Sequence, residues 1–187
     1  MRTGLIIVDI QNDYFPGGNV ALVGMEAAAE KASKLLETYR GKGLPLYHVQ
    51  HLSVRPGATF FIPNTPGVEI HDAVKPRTGE PLIQKHFPNA FRDTQLLEKA
   101  RADGIDQLVI CGAMSHMCID ATTRAAFDLD FKCTVIEDAC ATRDLTFHGE
   151  TVAAKDVHAS FMAALSVPYA RVVTTEDYMA SMQKGAA

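Results

Sequence analysis

Short runs of branched apolar residues alternate along the chain with stretches whose apolar positions recur every three or four residues. Gly4-Leu5-Ile6-Ile7-Val8 is the first such run, and it ends at Asp9. Runs that are apolar on both faces fit a parallel sheet covered by helices on each side. Similar runs at 44–49, 81–84, 107–111, 133–136 and 171–174 bring the expected strands to six. Between them, Ala28, Ala32, Leu35, Leu36 and Tyr39 share one face of a helix over 25–39, stopped by Gly41 and Gly43. Helices are also expected over 94–102 with Asp93 as cap, 116–129 with Ser115 as cap, 151–165, and 176–182. The alternation predicts an α/β fold, a three-layer α/β/α arrangement with a doubly wound, mostly parallel six-stranded sheet, in one domain over 1–187.

Two segments break the rhythm. Residues 10–24 contain Pro16-Gly17-Gly18-Asn19 and read as a loop. Residues 50–79 carry Pro56, Pro63, Pro66 and Pro76 around Phe60-Phe61-Ile62, and are long for a connection in a compact domain. Their aromatic content argues for an ordered excursion over one end of the sheet, with room for a short hairpin.

Composition narrows the class. The 187 residues are 47% hydrophobic, enough for one sizeable core. A formal net charge of −4, without a basic run, disfavours nucleic acid as a partner. No apolar stretch approaches a bilayer span, and a strand starting at residue 4 leaves no room for a signal peptide. Cys111, Cys118, Cys133 and Cys140 are too sparse for a disulfide-stapled secreted domain, so reduced thiols in a cytoplasmic protein are expected.

In open α/β sheets, ligands gather beyond the C-terminal ends of the strands. Asp9, Lys85 and the segment 112–118 each follow a predicted strand, so they should meet on one rim. With Ser115 as cap, Cys118 would lie in the first helical turn, where unpaired amides and a nearby Lys85 favour a thiolate. The same position suits a buried core thiol. Cys111 and Cys133 read as packing residues, and Cys140 falls in a strand-end loop. Asp9 is placed either as a base or as a structural carboxylate tying down the following loop, with Asp13 as a competitor. Lys85 alone, at the end of an edge strand, reads as a solvated charge. His48 and His51 flank Val49-Gln50 without a carboxylate among residues 48–51, and His71 lies beside Asp72; no metal is expected. His116 and His158 read as residues off the site. No G-x-G-x-x-G follows the first strand, and neither G-x-x-x-x-G-K-[ST] nor G-x-S-x-G occurs, which disfavours nucleotide binding and serine hydrolysis. No cofactor is expected.

Four segments in order then match a known pattern: Leu5-Ile-Ile-Val-Asp9-Ile-Gln-Asn-Asp-Tyr-Phe15, Lys85-His-Phe-Pro-Asn-Ala-Phe91, Gly112-Ala-Met-Ser-His-Met-Cys118-Ile-Asp-Ala-Thr122 and Val135-Ile-Glu-Asp138-Ala-Cys-Ala-Thr142. With these the chain resembles the isochorismatase-like cysteine hydrolases, the superfamily of nicotinamidases and N-carbamoylsarcosine amidohydrolase relatives. The resemblance implies a triad of Asp9 as base, Lys85 as thiolate support and Cys118 as nucleophile, acting through a covalent thioester. It implies a cis peptide between Ala113 and Met114, and an oxyanion hole from the amides of Met114 and Cys118. It also implies a small-molecule substrate and a homodimer or homotetramer. Tyr14, Phe15, His51, Phe60, Phe61, Phe87 and Phe91 are the candidates for the pocket wall. Metal-dependent nicotinamidases carry an Asp-x-His motif where this chain has Val49-Gln50-His51-Leu52, so a metal-independent enzyme is implied, with His51 binding substrate or marking a vestigial metal site. Cys118 favours an amide, imide or ester over the vinyl ether that some relatives lacking the cysteine cleave. A non-catalytic domain that binds a small ligand or a protein, and a redox protein using Cys118 and Cys140, are the competing readings.

Overall fold

The computed structural model describes residues 2–184. Strands β1 (Thr3–Val8), β2 (Leu46–His51), β3 (Leu82–Lys85), β4 (Gln107–Ala113) and β5 (Lys132–Ala141) come first in the chain. A small antiparallel hairpin, β6 (Leu145–Phe147) and β7 (Glu150–Val152), then precedes β8 (Ala170–Val173). All but the hairpin join one sheet in the order β3-β2-β1-β4-β5-β8, with every neighbouring pair parallel. Helices α1 (Met25–Gly41) and α5 (Thr175–Lys184) cover one face, and α2 (Leu96–Ala102), α3 (Asp120–Asp128) and α4 (Ala154–Leu165) cover the other. No helix among the described residues is long and apolar enough to cross a membrane.

The unbroken apolar runs follow from this layering. In β1, Leu5 and Ile7 pack toward α1 while Ile6 and Val8 pack into the opposite core, so no position faces water. Each such side chain contributes roughly 1.5–3 kcal/mol by its burial. From β1 the chain steps outward through β2 to β3, then returns to the other side of β1 as β4. That reversal opens a crevice at the C-terminal ends of β1 and β4. Gly112 permits their close approach there. Its φ is 124°, and a Cβ on it would lie 2.0 Å from the Val8 carbonyl oxygen.

Several local expectations are corrected. Strand β5 runs on to Ala141, so Cys140 is a buried strand residue and not part of a loop. The hairpin occupies 145–152, where the next helix was expected to start by Thr151. Thr151 and Val152 prefer extended backbone, and α4 begins only at Ala154, whose amide donates to Asp144 Oδ1 at 2.7 Å. The excursion after β2 contains no hairpin; its regular pieces are 3-10 turns at Pro66–Val68 and Asp72–Val74. Asp93 caps no helix. It has φ 55°, and Thr94 Oγ1 instead accepts from the Leu96 amide.

Asp13 proves to be a loop organiser. Its carboxylate accepts from the amides of Phe61 (2.6 Å) and Asn19 (3.2 Å) and from Asn19 Nδ2 (2.9 Å). This ties the 10–24 loop to the excursion. At the other end of the sheet, Arg40 grips Glu80 with Nε and Nη2, both at 2.7 Å, and His48 Nε2 lies 2.9 Å from the same carboxylate. His48 is therefore turned away from His51. The Arg40 hydrogen bonds hold the Glu80 carboxyl down to about 2.

Glu80→Gln should lower stability at pH 7 by on the order of 1 kcal/mol, because the pair is partly screened by solvent. A carboxyl depressed when folded stabilises fully above its unfolded value of about 4.3, and the contribution fades as pH falls toward the folded value. Urea midpoints of wild type and variant should thus converge between about pH 5 and pH 2. A gap that stays constant over that interval would contradict the assignment.

Candidate active site

Four neighbouring strands end on the same rim, and each delivers one polar side chain to a common point. Asp9 follows β1, His51 ends β2, Lys85 ends β3, and Cys118 lies in the turn after β4. Asp9 has φ 52°, an uncommon left-handed conformation for a residue other than glycine, and with it the chain leaves β1. Asp9 and Lys85 are completely or almost completely buried, and Cys118 is 4% exposed.

Lys85 Nζ stands 2.7 Å from Asp9 Oδ2, 3.0 Å from His51 Nδ1 and 3.2 Å from Cys118 Sγ. An ammonium has three hydrogens to donate, and each has an acceptor here. Burial works against the charge, but Asp9 and Cys118 outweigh it, and the lysine pKa ends above its ordinary value. The solvated edge lysine expected from sequence is thus a shielded cation. The ligand atoms of Asp9, His51 and Cys118 lie within 4.8 Å of one another, a grouping a metal ion could use. The lysine's own ammonium already sits at hydrogen-bond distance from all three.

Cys118 differs from expectation in its resting state. Burial, and then the negative charge of Asp9, raise its pKa; Lys85 opposes them without prevailing, so the thiol form dominates. Cys118 does lie in the first turn of a helical segment, but that turn is π-helical and Met114, not Ser115, precedes it. Residues Ser115–Ile119 form a π-helical turn, and α3 begins at Asp120. Ser115 caps nothing, because its hydroxyl turns inward to His158 Nδ1 (2.8 Å) and the Ala141 carbonyl (3.3 Å). Beyond the Lys85 ammonium and the Cys118 thiol, neither Asp9 oxygen has a hydrogen-bond partner among the described residues. The carboxylate is therefore the acceptor that stands beside a protonated thiol.

The Ala113–Met114 peptide is cis. Among the described residues, no acceptor is seen for the amide of Met114, nor for that of Cys118 outside its own helical turn. Tyr14, Phe60 and Phe61 pack as an aromatic cluster, with ring centroids 4.5 Å apart for Tyr14–Phe61 and 5.0 Å for Phe60–Phe61; His51 stands 6.0 Å from Phe61. Phe87 is half-buried under the guanidinium of Arg92 (3.6 Å), with Arg55 at 5.7 Å. Two expected wall residues lie elsewhere. Phe15 stacks on His71 at 3.6 Å, and Phe91 packs against Phe131 in the core under α2 and α3. In both cases another ring supplies a better apolar surface than the rim does.

Sequence reading passed over one residue of the site and an arginine near it. Gln11 brackets His51, accepting from its amide at 2.8 Å and donating Nε2 to its carbonyl at 3.0 Å and to that of Val68 at 2.7 Å. Its place in the opening motif, between Asp9 and Asp13, was the only signal. Arg143 is exposed in an irregular stretch, yet its charge reaches both the buried Tyr14 phenol and His116. His116 itself bonds Thr142 Oγ1 at 2.6 Å. Burial pushes the Cys133 and Cys140 thiols up to about 12. The cleft of about 500 Å³ lined by Arg2, Arg40, Arg77 and Asp103 lies at the opposite end of the sheet, so the triad is the enclosed site and that cleft the open one.

Comparison with known proteins places the chain in a family with this fold. Residues 3–177 match the model of the Isochorismatase domain. The chain is 51% identical over 179 residues to the uncharacterized isochorismatase family protein YddQ of Bacillus subtilis, covering 96% of this chain and 99% of that one. A crystal structure described as an isochorismatase hydrolase, from Oleispira antarctica, is 51% identical and superposes with a TM-score of 0.90 over 96% of both chains. Maleamate amidohydrolase of Pseudomonas putida is 26% identical over 97% of this chain and 87% of its own.

A protonated, buried thiol has a kinetic signature. Alkylation of Cys118 by iodoacetamide, followed by mass spectrometry, should accelerate about tenfold per pH unit from pH 6 to 9, because only the minor thiolate reacts. A plateau below pH 8 would mean that the thiolate is the resting form.

Proposed function

Because the chain belongs to the isochorismatase family of hydrolases, we propose that it is a metal-independent cysteine amidohydrolase with Cys118 as nucleophile and Asp9 as base. The observation that carries this reading is the Lys85 ammonium, which stands 2.7 Å from the Asp9 carboxylate and 3.2 Å from the Cys118 sulfur, with thiol and carboxylate hydrogen-bonded to each other. Asp9 takes the thiol proton as sulfur attacks the substrate carbonyl carbon. Lys85 balances the charge that passes from carboxylate to sulfur. The developing oxyanion is received by the amides of Met114 and Cys118. Collapse of the tetrahedral adduct breaks the C–N bond, and the departing nitrogen takes the proton from Asp9. Water then attacks the thioester, giving its proton to Asp9, and the released thiolate recovers that proton as the acid leaves.

A purely ligand-binding role would leave this arrangement costly and unused, since a buried ion pair repays its desolvation only when its acceptors are well served. The aromatic cluster of Tyr14, Phe60 and Phe61 suits a small, flat acyl group. The exposed Arg143 suits an anionic end on that group.

A panel of small amides, imides and esters, assayed with and without chelator, tests the scheme. Cys118→Ala should remove turnover, and Asp9→Asn should reduce kcat by roughly 10²–10⁴. Chelator should change nothing. Arg143→Gln should raise KM about tenfold or more for amides carrying a carboxylate and leave neutral amides unaffected. Retained turnover in Cys118→Ala sinks the reading.

A further inference from the structure

A lysine ammonium presents three hydrogens, whereas the proposed chemistry uses two of them, one on Asp9 and one on Cys118. In a site this buried, the third hydrogen needs a partner, since an unmet donor carries its full desolvation cost. His51 supplies it at 3.0 Å. The pairing is built into the sheet, because His51 of β2 and Lys85 of β3 are register partners. The ring's backbone is bracketed on both its amide and its carbonyl by Gln11.

We propose that His51 is a positioning residue of the triad, whose Nδ1 takes the third Lys85 hydrogen and thereby turns the ammonium onto Asp9 and Cys118. The proposal rests on reading Cys118 as the nucleophile. The same bond keeps the imidazole hydrogen on Nε2. It also removes His51 as a base, since its one lone-pair nitrogen is already engaged. The groups facing the ring are Lys85 from β3, Asp9 from β1, His86 and Arg55 from the adjoining loops, and Cys118 from the turn after β4. Burial and the Lys85 charge hold the ring pKa down to about 4, so it remains an acceptor at neutral pH.

The test replaces His51 and reads Cys118 without needing a substrate. In His51→Asn the side-chain oxygen stands near the place of Nδ1; in His51→Gln it reaches the place of Nε2; His51→Leu offers no acceptor. At pH 8, alkylation of Cys118 by iodoacetamide should slow at least about tenfold in His51→Leu and His51→Gln, the size expected for losing a hydrogen bond to a charged group. His51→Asn should stay within about threefold of wild type. On the best amide substrate, kcat should follow the same order with KM unchanged, and ¹⁵N spectra of the wild type should show the hydrogen on Nε2. Thermal melts report folding for each variant, and if His51→Leu does not fold, the Asn and Gln pair decides. Equal or faster alkylation in His51→Leu overturns the proposal, and so does rescue by Gln as good as that by Asn. Turnover surviving in Cys118→Ala would instead overturn the nucleophile assignment, which leaves the two failures distinguishable.

Discussion

The Lys85–Asp9 ion pair, 2.7 Å long and shut away from water, is the contact around which the rim of the sheet is organised. Burying two opposite charges costs several kcal/mol per ion, and good geometry with further hydrogen bonds is needed to offset it. The rest of the site supplies that geometry. Parallel strands bring four chain segments to one edge, the excursion after β2 covers them, and Asp13 pins the excursion to the first loop. Lys85 then serves two ends at once, pairing with the carboxylate at 2.7 Å and standing 3.2 Å from the sulfur.

That arrangement changes what activates the nucleophile. A cysteine at a helix start would owe its reactivity to the backbone, and a standing thiolate would follow. Here burial and the Asp9 charge favour the thiol, and the uncapped helical start at Ser115 does not outweigh them. In the proposed scheme the nucleophile is made during the reaction, when a carbonyl arrives to be attacked. A protonated, 4% exposed thiol is also a poor target for oxidants and stray electrophiles.

Much of the architecture was legible because the signal was redundant. Six apolar runs, each followed by a turn or a polar residue, allow few folds other than a covered parallel sheet, and Asp9 and Lys85 stand out as polar residues at strand ends. What escaped reading depended on partners distant in sequence. Ser115 looks like a cap until His158 and the Ala141 carbonyl claim its hydroxyl. His48 and His51 look alike, yet Glu80 draws one away and Lys85 draws the other in. Phe15 and Phe91 resemble pocket residues as closely as Phe60 and Phe61 do, and only His71 and Phe131 separate them. The β6–β7 hairpin was missed because a few alternating residues resemble a helix start as much as a strand.

The strand order carries one more implication. Residues 9, 51, 85 and 118 come from, or directly after, β1, β2, β3 and β4, and each is separated from the next by a whole helix or a long excursion. No fragment of the chain holds two of them in contact without closing such a loop, and contacts of that kind are the slow ones to form. The cluster exists only once four strands have paired in the right order. Any partly folded form would therefore carry Cys118 as an isolated cysteine, so in the proposed scheme hydrolytic power would be the last property the chain acquires and the first it loses.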